Sequence, residues 1–262
     1  MMRALIYKDQ ELTALFGSRI RALEVLFVLE DIKPVCRFEL QPQQLMDVEP
    51  FFQSANLTYL ASSIQPLMTP EQDTPDAQQQ SQLSELTLVY ISKNRSLAQE
   101  ARIAETRFDH RRFGTLLGYP QCCIQFFCEH LTEAEELHHD HTLITARQST
   151  TFNPLLNISL QFFDWRIISH YPCHFNCPAS IDQAQRMLKA IAKYNKDLVT
   201  EIEQHMRSLV LYTNETGVHV FEGAKKKGNN FYYKSVLLTS TNPVHDLLMK
   251  GDTIKKISIN HV

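Results

Sequence analysis

The chain has 262 residues, 44% of them apolar, with 26 basic and 29 acidic side chains and a formal net charge of −3. A chain of this length can bury a full core without a covalent staple, and its near balance of charge provides no global field for nucleic acid or an anionic membrane. No window approaches the roughly 18 apolar residues of a membrane span, and MMRALIYKDQELTALF lacks a basic region followed by a long apolar run, so the expected compartment is the cytoplasm. Persistent disulfides are rare there, and clustered cysteines more often bind metal or carry redox chemistry.

In chain order, apolar residues recur at helical spacing through Leu12, Leu15, Ile20, Leu23, Leu26 and Leu29, which predicts one helix. DIKPVCRFEL then turns to a short β-like run, and residues 48 to 64 suit a second helix. Residues 69 to 85, polar, proline-containing and rich in glutamine, read as a loop or linker. LTLVYIS at 86 to 92 has the branched and aromatic content of a strand. From Arg95 the pattern is helical through Leu97, Ala101, Ala104, Phe108, Leu116 and Leu117, with Gly118 placed as the stop. Pro120 fits the first position of a new helix, whose first turn would carry Cys122 and Cys123.

After HYPCHFNCP, Ser180 with Gln183 reads as a capping box for a long amphipathic helix through Ile181, Ala184, Leu188, Ile191, Leu198, Ile202 and Leu209. Beyond Tyr212, GVHVFEG, NNFYYKSVLLTS and DTIKKISIN alternate as three strands. The expected fold class is therefore α+β, with a small N-terminal α/β unit at 1–92, a helical centre carrying the cysteines at 93–211 and C-terminal antiparallel strands at 212–262.

Chemistry concentrates in GYPQCC, residues 118 to 123, and HYPCHFNCP, residues 170 to 178. Cysteines at helix starts meet unpaired N–H groups and the positive end of the helix dipole, both of which favour thiolate. Cys122, Cys123, Cys173 and Cys177 are thus expected to converge in one coordination sphere. Cys173 and Cys177 have the spacing of a zinc pair, but adjacent Cys122 and Cys123 point about 100° apart on a helix and would clasp one small ion awkwardly. A larger group accommodates them better, and Cys177 followed by Pro178 also occurs in ferredoxin motifs. A [4Fe–4S] cluster is the favoured cofactor, with zinc and metal-free thiol–disulfide exchange as alternatives.

Two function classes follow. In one, the metal centre is catalytic on an unidentified small or sulfur-containing substrate, with His110 or His170 moving protons. In the other, a structural metal staples two helix starts in a binding or assembly module. The first is favoured because the core does not need a staple. His170 could equally ligate, hydrogen-bond a thiolate or cap a preceding helix, SLQFFDWRIIS.

Other candidates carry weaker chemistry. Cys36 and Cys128 lie in apolar runs and read as core filling. ELHHDH, residues 136 to 141, offers Glu135 with His138 in a di-iron spacing but lacks the second motif, so it reads as a solvated helix end. Asp109 to Arg112, read as the end of a helix aimed at the GYP turn, could bind an anion or transfer a proton, or could merely complement the helix dipole. KKKG at 225–228 reads as a basic loop that leaves a phosphate or nucleic-acid contact open, although such lysines are usually only solvated.

LLGYPQCC followed by HYPCHFNCPAS resembles the paired Gly-Tyr-Pro-x-Cys-Cys and His-x-Pro-Cys-x-x-x-Cys motifs of a prokaryotic family of domains of unknown function. The resemblance covers about residues 86 to 200. By position it marks Gly118, Tyr119, Pro120, Cys122, Cys123, His170, Pro172, Cys173 and Cys177, and it implies a shared site without naming a reaction.

Overall fold

A computed structural model describes residues 9–62, 86–137, 141–213, 217–228, 230–238 and 253–255. The loop expected at 69–85 and residues 138–140 of the histidine run lie outside them. The chain divides into two compact units, residues 1–124 with 193–195 and residues 125–192 with 196–262. The architecture is α+β, with an N-terminal α/β region and C-terminal strands.

The first unit opens with two helices, α1 (Asp9–Phe16) and α2 (Arg19–Leu29), where the periodicity predicts one. Gly17 at φ 65° ends the first, and Ser18 Oγ accepts the Arg21 N–H at 3.3 Å to start the second. This pairing of a left-handed stop with a capping hydroxyl breaks a continuous apolar stripe. Strand β1 (Cys36–Leu40) follows, then α3 (Pro42–Ser54), β2 (Thr58–Ser62) and β3 (Thr87–Ser92). The helix expected at 48–64 instead starts at Pro42, behind a box between Gln41 and Gln44, and gives way to β2 after Asn56 at φ 53°.

Strand β3 is the centre of an antiparallel sheet ordered β1-β3-β2. Its alternation assigns each side chain to one of two cores. Val89 and Ile91 pack with Phe16, Val25, Phe38 and Phe52, while Leu88 and Tyr90 pack with Ala98, Ala101, Ala104, Leu116 and Leu117. Burial on both faces is why Leu88 to Ile91 form an unbroken apolar run, and the alanines let α4 (Arg95–Thr106) lie close to the sheet.

A second helix, α5 (His110–Leu116), follows where the sequence suggests a continuation of the first. Phe108 takes the left-handed conformation at φ 56°, and the Asp109 N–H returns to the Ala104 carbonyl at 2.9 Å. The residues read as a helix end are consequently a helix start. Asp109 is the N-cap of α5 and accepts the Arg112 N–H at 3.0 Å.

Helix α6 (Gln121–Glu129) follows. The second unit continues with α7 (Leu131–Glu135), α8 (Thr142–Arg147), 3-10 turns at Pro154–Leu156 and Ile158–Phe163, α9 (Pro178–Ala192) and α10 (Lys196–Met206). The helix expected at SLQFFDWRIIS is only the second of those turns, stopped by Asp164 at φ 59°. The long helix from 180 is two helices, α9 burying Ala184, Met187, Leu188 and Ile191 and α10 burying Leu198, Ile202 and Met206.

Strand β4 (Leu209–Thr213), whose first residue the helical stripe had absorbed, pairs with β5 (Gly217–Glu222), and β5 pairs with β8 (Ser235–Leu238). A further sheet orders β6 (Lys225–Lys227), β7 (Asn230–Tyr232) and β9 (Thr253–Lys255). The lysines of KKKG therefore form a paired strand, not a loop. No helix among the described residues is long and apolar enough to cross a membrane.

Candidate metal centre

The first half of the site begins at the end of α5. Gly118, at φ 75°, has its N–H on the Thr115 carbonyl at 3.0 Å, and the Tyr119 N–H reaches the Gly114 carbonyl at 3.0 Å. Those two bonds form a Schellman motif, which satisfies carbonyls the helix would otherwise leave open. Space also favours glycine: a Cβ at 118 would lie 3.0 Å from Pro34 Cδ. Tyr119 packs on the second core, and Lys33 Nζ lies 5.2 Å from its ring centroid.

Lys33 is itself buried and paired with Glu24. Burial works against its ammonium form, but the Glu24 carboxylate more than offsets this and raises the lysine pKa above its ordinary value. A buried ion pair thus sits behind the turn that delivers the cysteines.

The chain restarts as a helix at once. The Pro120 carbonyl accepts N–H bonds from Cys123 and Ile124, both at 3.0 Å, which makes Pro120 the residue flanking α6 and not its first member. Ile124 packs where a Cβ at Gly114 would be 2.9 Å from its Cγ1, so the missing side chain at 114 admits the new helix. Cys122 is exposed and Cys123 buried, which the offset of about 100° between helical neighbours allows. Their sulfurs lie 3.8 Å apart, so side-chain torsions bring the adjacent thiols together despite their different helical directions.

The second half is a loop held from its sides. Thr145 Oγ1 donates to the Pro172 carbonyl at 2.9 Å, Ser149 Oγ accepts the Phe175 N–H at 2.7 Å, and the Phe175 carbonyl accepts the Asn153 N–H at 2.7 Å. The His141 ring, buried, stacks on Phe127 at 4.4 Å and lies 5.1 Å from Tyr171. His141 is thus an interior group rather than part of a solvated helix end. Cys173 rests on a small core of Phe126, Ala134 and Ile144.

Cys177 flanks α9, its carbonyl accepting the Ile181 N–H at 3.0 Å, with Pro178 as the helix's first residue. Ser180 therefore lies inside the helix and is not its cap. Its hydroxyl is 2.9 Å from His170 Nε2, and both groups are buried.

Cys122, Cys123, Cys173 and Cys177 bring their sulfurs within 4.8 Å of one another. The four cysteines form one group that can hold a metal ion, and none of the chain's six cysteines is joined in a disulfide. His110, the first residue of α5, and His170 stand outside this ligand group. Cys36 is a buried core thiol whose pKa burial pushes well up, with the Glu24 charge adding to the rise, and Cys128 is half-buried. Neither belongs to the four-sulfur group; Cys36 lies in the core, as its apolar run suggests, whereas Cys128 is only half-buried.

Sequence reasoning missed Thr145, Ser149, Asn153 and His141. No spacing marks the first three, since each acts on a backbone group far along the chain. His141 stood in a run of charged and imidazole side chains whose composition indicated solvent.

Neither the curated proteins nor the solved structures give a match to this chain. Residues 93–207, which contain both cysteine segments, match the model of an uncharacterised family described as Protein of unknown function (DUF483).

Proposed function

We propose that the protein is a metalloprotein in which Cys122, Cys123, Cys173 and Cys177 share a single tetrahedral ion, zinc by preference, joining the first turn of α6 to the loop at 171–177. The observation that carries this reading is the mutual approach of all four sulfurs to within 4.8 Å. Thiolates about 2.3 Å from one ion at tetrahedral angles are about 3.8 Å apart, the spacing of Cys122 and Cys123. In a [4Fe–4S] cluster each thiolate binds its own iron, so its ligand sulfurs stand farther apart than those around one ion. The sulfur spacing thus moves the proposal from the iron–sulfur cluster that the sequence favours to one ion, and soft thiolate ligands in a tetrahedral set suit zinc.

Four protein ligands close the coordination sphere, which is the pattern of structural zinc rather than of a site keeping a position for water. The site's role in this reading is to fix two segments in a binding or assembly module. His170 acts here as a positioning residue, linked through Ser180 to the first turn of α9, and not as a proton carrier. The metal would hold the turn at 118–123 and the loop at 171–177 in one arrangement that neither segment's local hydrogen bonds specify.

Elemental analysis of protein purified without oxygen, paired with melting temperatures before and after chelation, tests this. One zinc per chain, and a large fall in melting temperature on its removal, are expected. Iron with acid-labile sulfide would return the reading to a cluster. Absence of metal with an unchanged melting temperature on chelation would leave thiol–disulfide exchange.

A further inference from the structure

A closed tetrahedral site offers no vacant position to a substrate, so any reaction there must run through a ligand sulfur. The four ligands are not equivalent. Cys123 and Cys177 are only 2% and 1% exposed, Cys173 is half-buried against the Phe126 core, and Cys122 is exposed. Gln121 beside it and Gln125 one turn later are also exposed, so this edge of α6 opens the Cys122 side of the group to solvent. A reagent from solution therefore meets one sulfur first.

Metal binding keeps a thiolate deprotonated while leaving it lone pairs, and the thiolate is the nucleophilic form of cysteine. Four thiolates around one divalent ion also leave an excess of negative charge. That excess repels anionic reagents and favours neutral or cationic ones, and any reaction that neutralises one thiolate relieves it.

We propose that Cys122 is a covalent acceptor site for soft alkyl electrophiles carried by neutral or cationic donors, a role that rests on the single-ion reading. A lone pair on Cys122 Sγ forms the new sulfur–carbon bond as the bond from that carbon to its leaving group breaks. The leaving group departs with the bonding pair, no proton moves, and neither partner is oxidised overall. Cys122 becomes a neutral thioether, a weaker ligand than the thiolate, and three thiolates remain around the ion. Alkylation of one surface sulfur would thereby loosen the link between α6 and the loop at 171–177. Cys122 thus makes the staple sensitive to alkylating compounds.

The test uses full-length protein with its metal content measured first, iodoacetamide as the neutral probe and iodoacetate as the anionic one. Labelling is followed in time by peptide mass mapping, with released metal read in the same samples. Cys122 should be carbamidomethylated at least about 10-fold faster than Cys123, Cys173, Cys177 and Cys128, because it alone combines exposure with a metal-held thiolate. Its preference for iodoacetamide over iodoacetate should exceed that of a small thiol such as N-acetylcysteine. Metal release should follow the first labelling event and not precede it.

Protein that contains metal but labels its four ligand cysteines together, or Cys173 or Cys128 first, would overturn the acceptor role while leaving the single-ion site intact. Protein purified without metal would overturn both. A Cys128→Ser variant, which leaves all four ligand cysteines in place, supplies a second reading: it should keep the fast labelling phase, and loss of that phase would also overturn the assignment.

Discussion

The turn at 118–123 is positioned by its own backbone and by the core behind it: a left-handed glycine, a Schellman pair of hydrogen bonds, and Tyr119 laid against a buried ion pair. The loop at 171–177 is positioned by side chains that arrive from elsewhere, with Thr145 and Ser149 bonding its backbone and His141 beside Tyr171. Two cysteine motifs built on similar sequence grammar therefore fail in different ways. The turn should be intolerant of added volume or of an uncompensated charge behind it. The loop should tolerate surface change yet respond to the loss of single hydroxyl groups.

The largest expected effect is common to both halves. Cys177→Ala and Cys123→Ala should each empty the site, and because metal binding free energy is then folding free energy, the loss can reach several kcal/mol, on the order of 5 or more. Metal analysis and melting temperature check this, with Cys128→Ala as a control expected to retain the metal. Equal metal content in the ligand variants and wild type would remove the basis for comparing the two halves.

Next comes a change confined to the first half. Lys33→Met leaves the buried Glu24 carboxylate without its partner and should cost about 3–5 kcal/mol in denaturant unfolding, whereas Lys33→Met combined with Glu24→Leu should recover most of it. The linked pH effect has a definite sign. Lys33 has a raised pKa in the folded state, so its contribution is fully present below the ordinary lysine value of about 10.4 and is lost only as pH rises through the higher folded value. The lysine should therefore add no pH dependence to wild-type stability between about pH 6 and pH 9, and the gap between wild type and the double variant, which has neither charge, should stay constant across that window. A wild-type-to-double-variant gap that changes within it would show that the pair titrates there.

Gly118→Ala combines a left-handed backbone with a Cβ 3.0 Å from Pro34 Cδ, and should destabilise by about 1–3 kcal/mol. The smallest expected effect tests the second half: Thr145→Val keeps the shape but leaves the Pro172 carbonyl without its hydroxyl donor, a loss of about 1–2 kcal/mol. Metal affinity, measured by chelator competition, should fall with it by roughly 10-fold, as when a group that orients a ligand is removed. If Thr145→Val weakened metal binding no more than a change at exposed Thr200, the loop would not depend on that hydroxyl.

The sequence made the sites of convergence legible because Gly118 and Pro120 on one side, and the Ser180–Gln183 pair within two residues of the true start on the other, announce helix boundaries in local chemistry. The stop at Gly118, the central strand from Thr87 and the grouping of the four cysteines follow from such signals. Internal breaks were harder to see. Ser18 and Asp109 are ordinary capping residues placed inside unbroken apolar stripes, where periodicity outweighs a single cap. Phe108 is left-handed without being glycine, so nothing in its type signals a stop. The Ser180 hydroxyl reads as a cap from its capping-box spacing with Gln183, but its helix starts at Pro178, and only folding brings the hydroxyl to His170. The geometry of adjacent cysteines depends on side-chain rotamers, which spacing along a helix does not determine.

The proposed centre is one ion surrounded by four sulfurs. X-ray absorption at the metal edge of protein purified without oxygen addresses it most directly. The account predicts zinc with a single shell of four sulfurs at about 2.3 Å and no neighbouring metal. Iron with a second iron in its immediate surroundings, or a zinc shell containing nitrogen or oxygen in place of one of the four sulfurs, would contradict it.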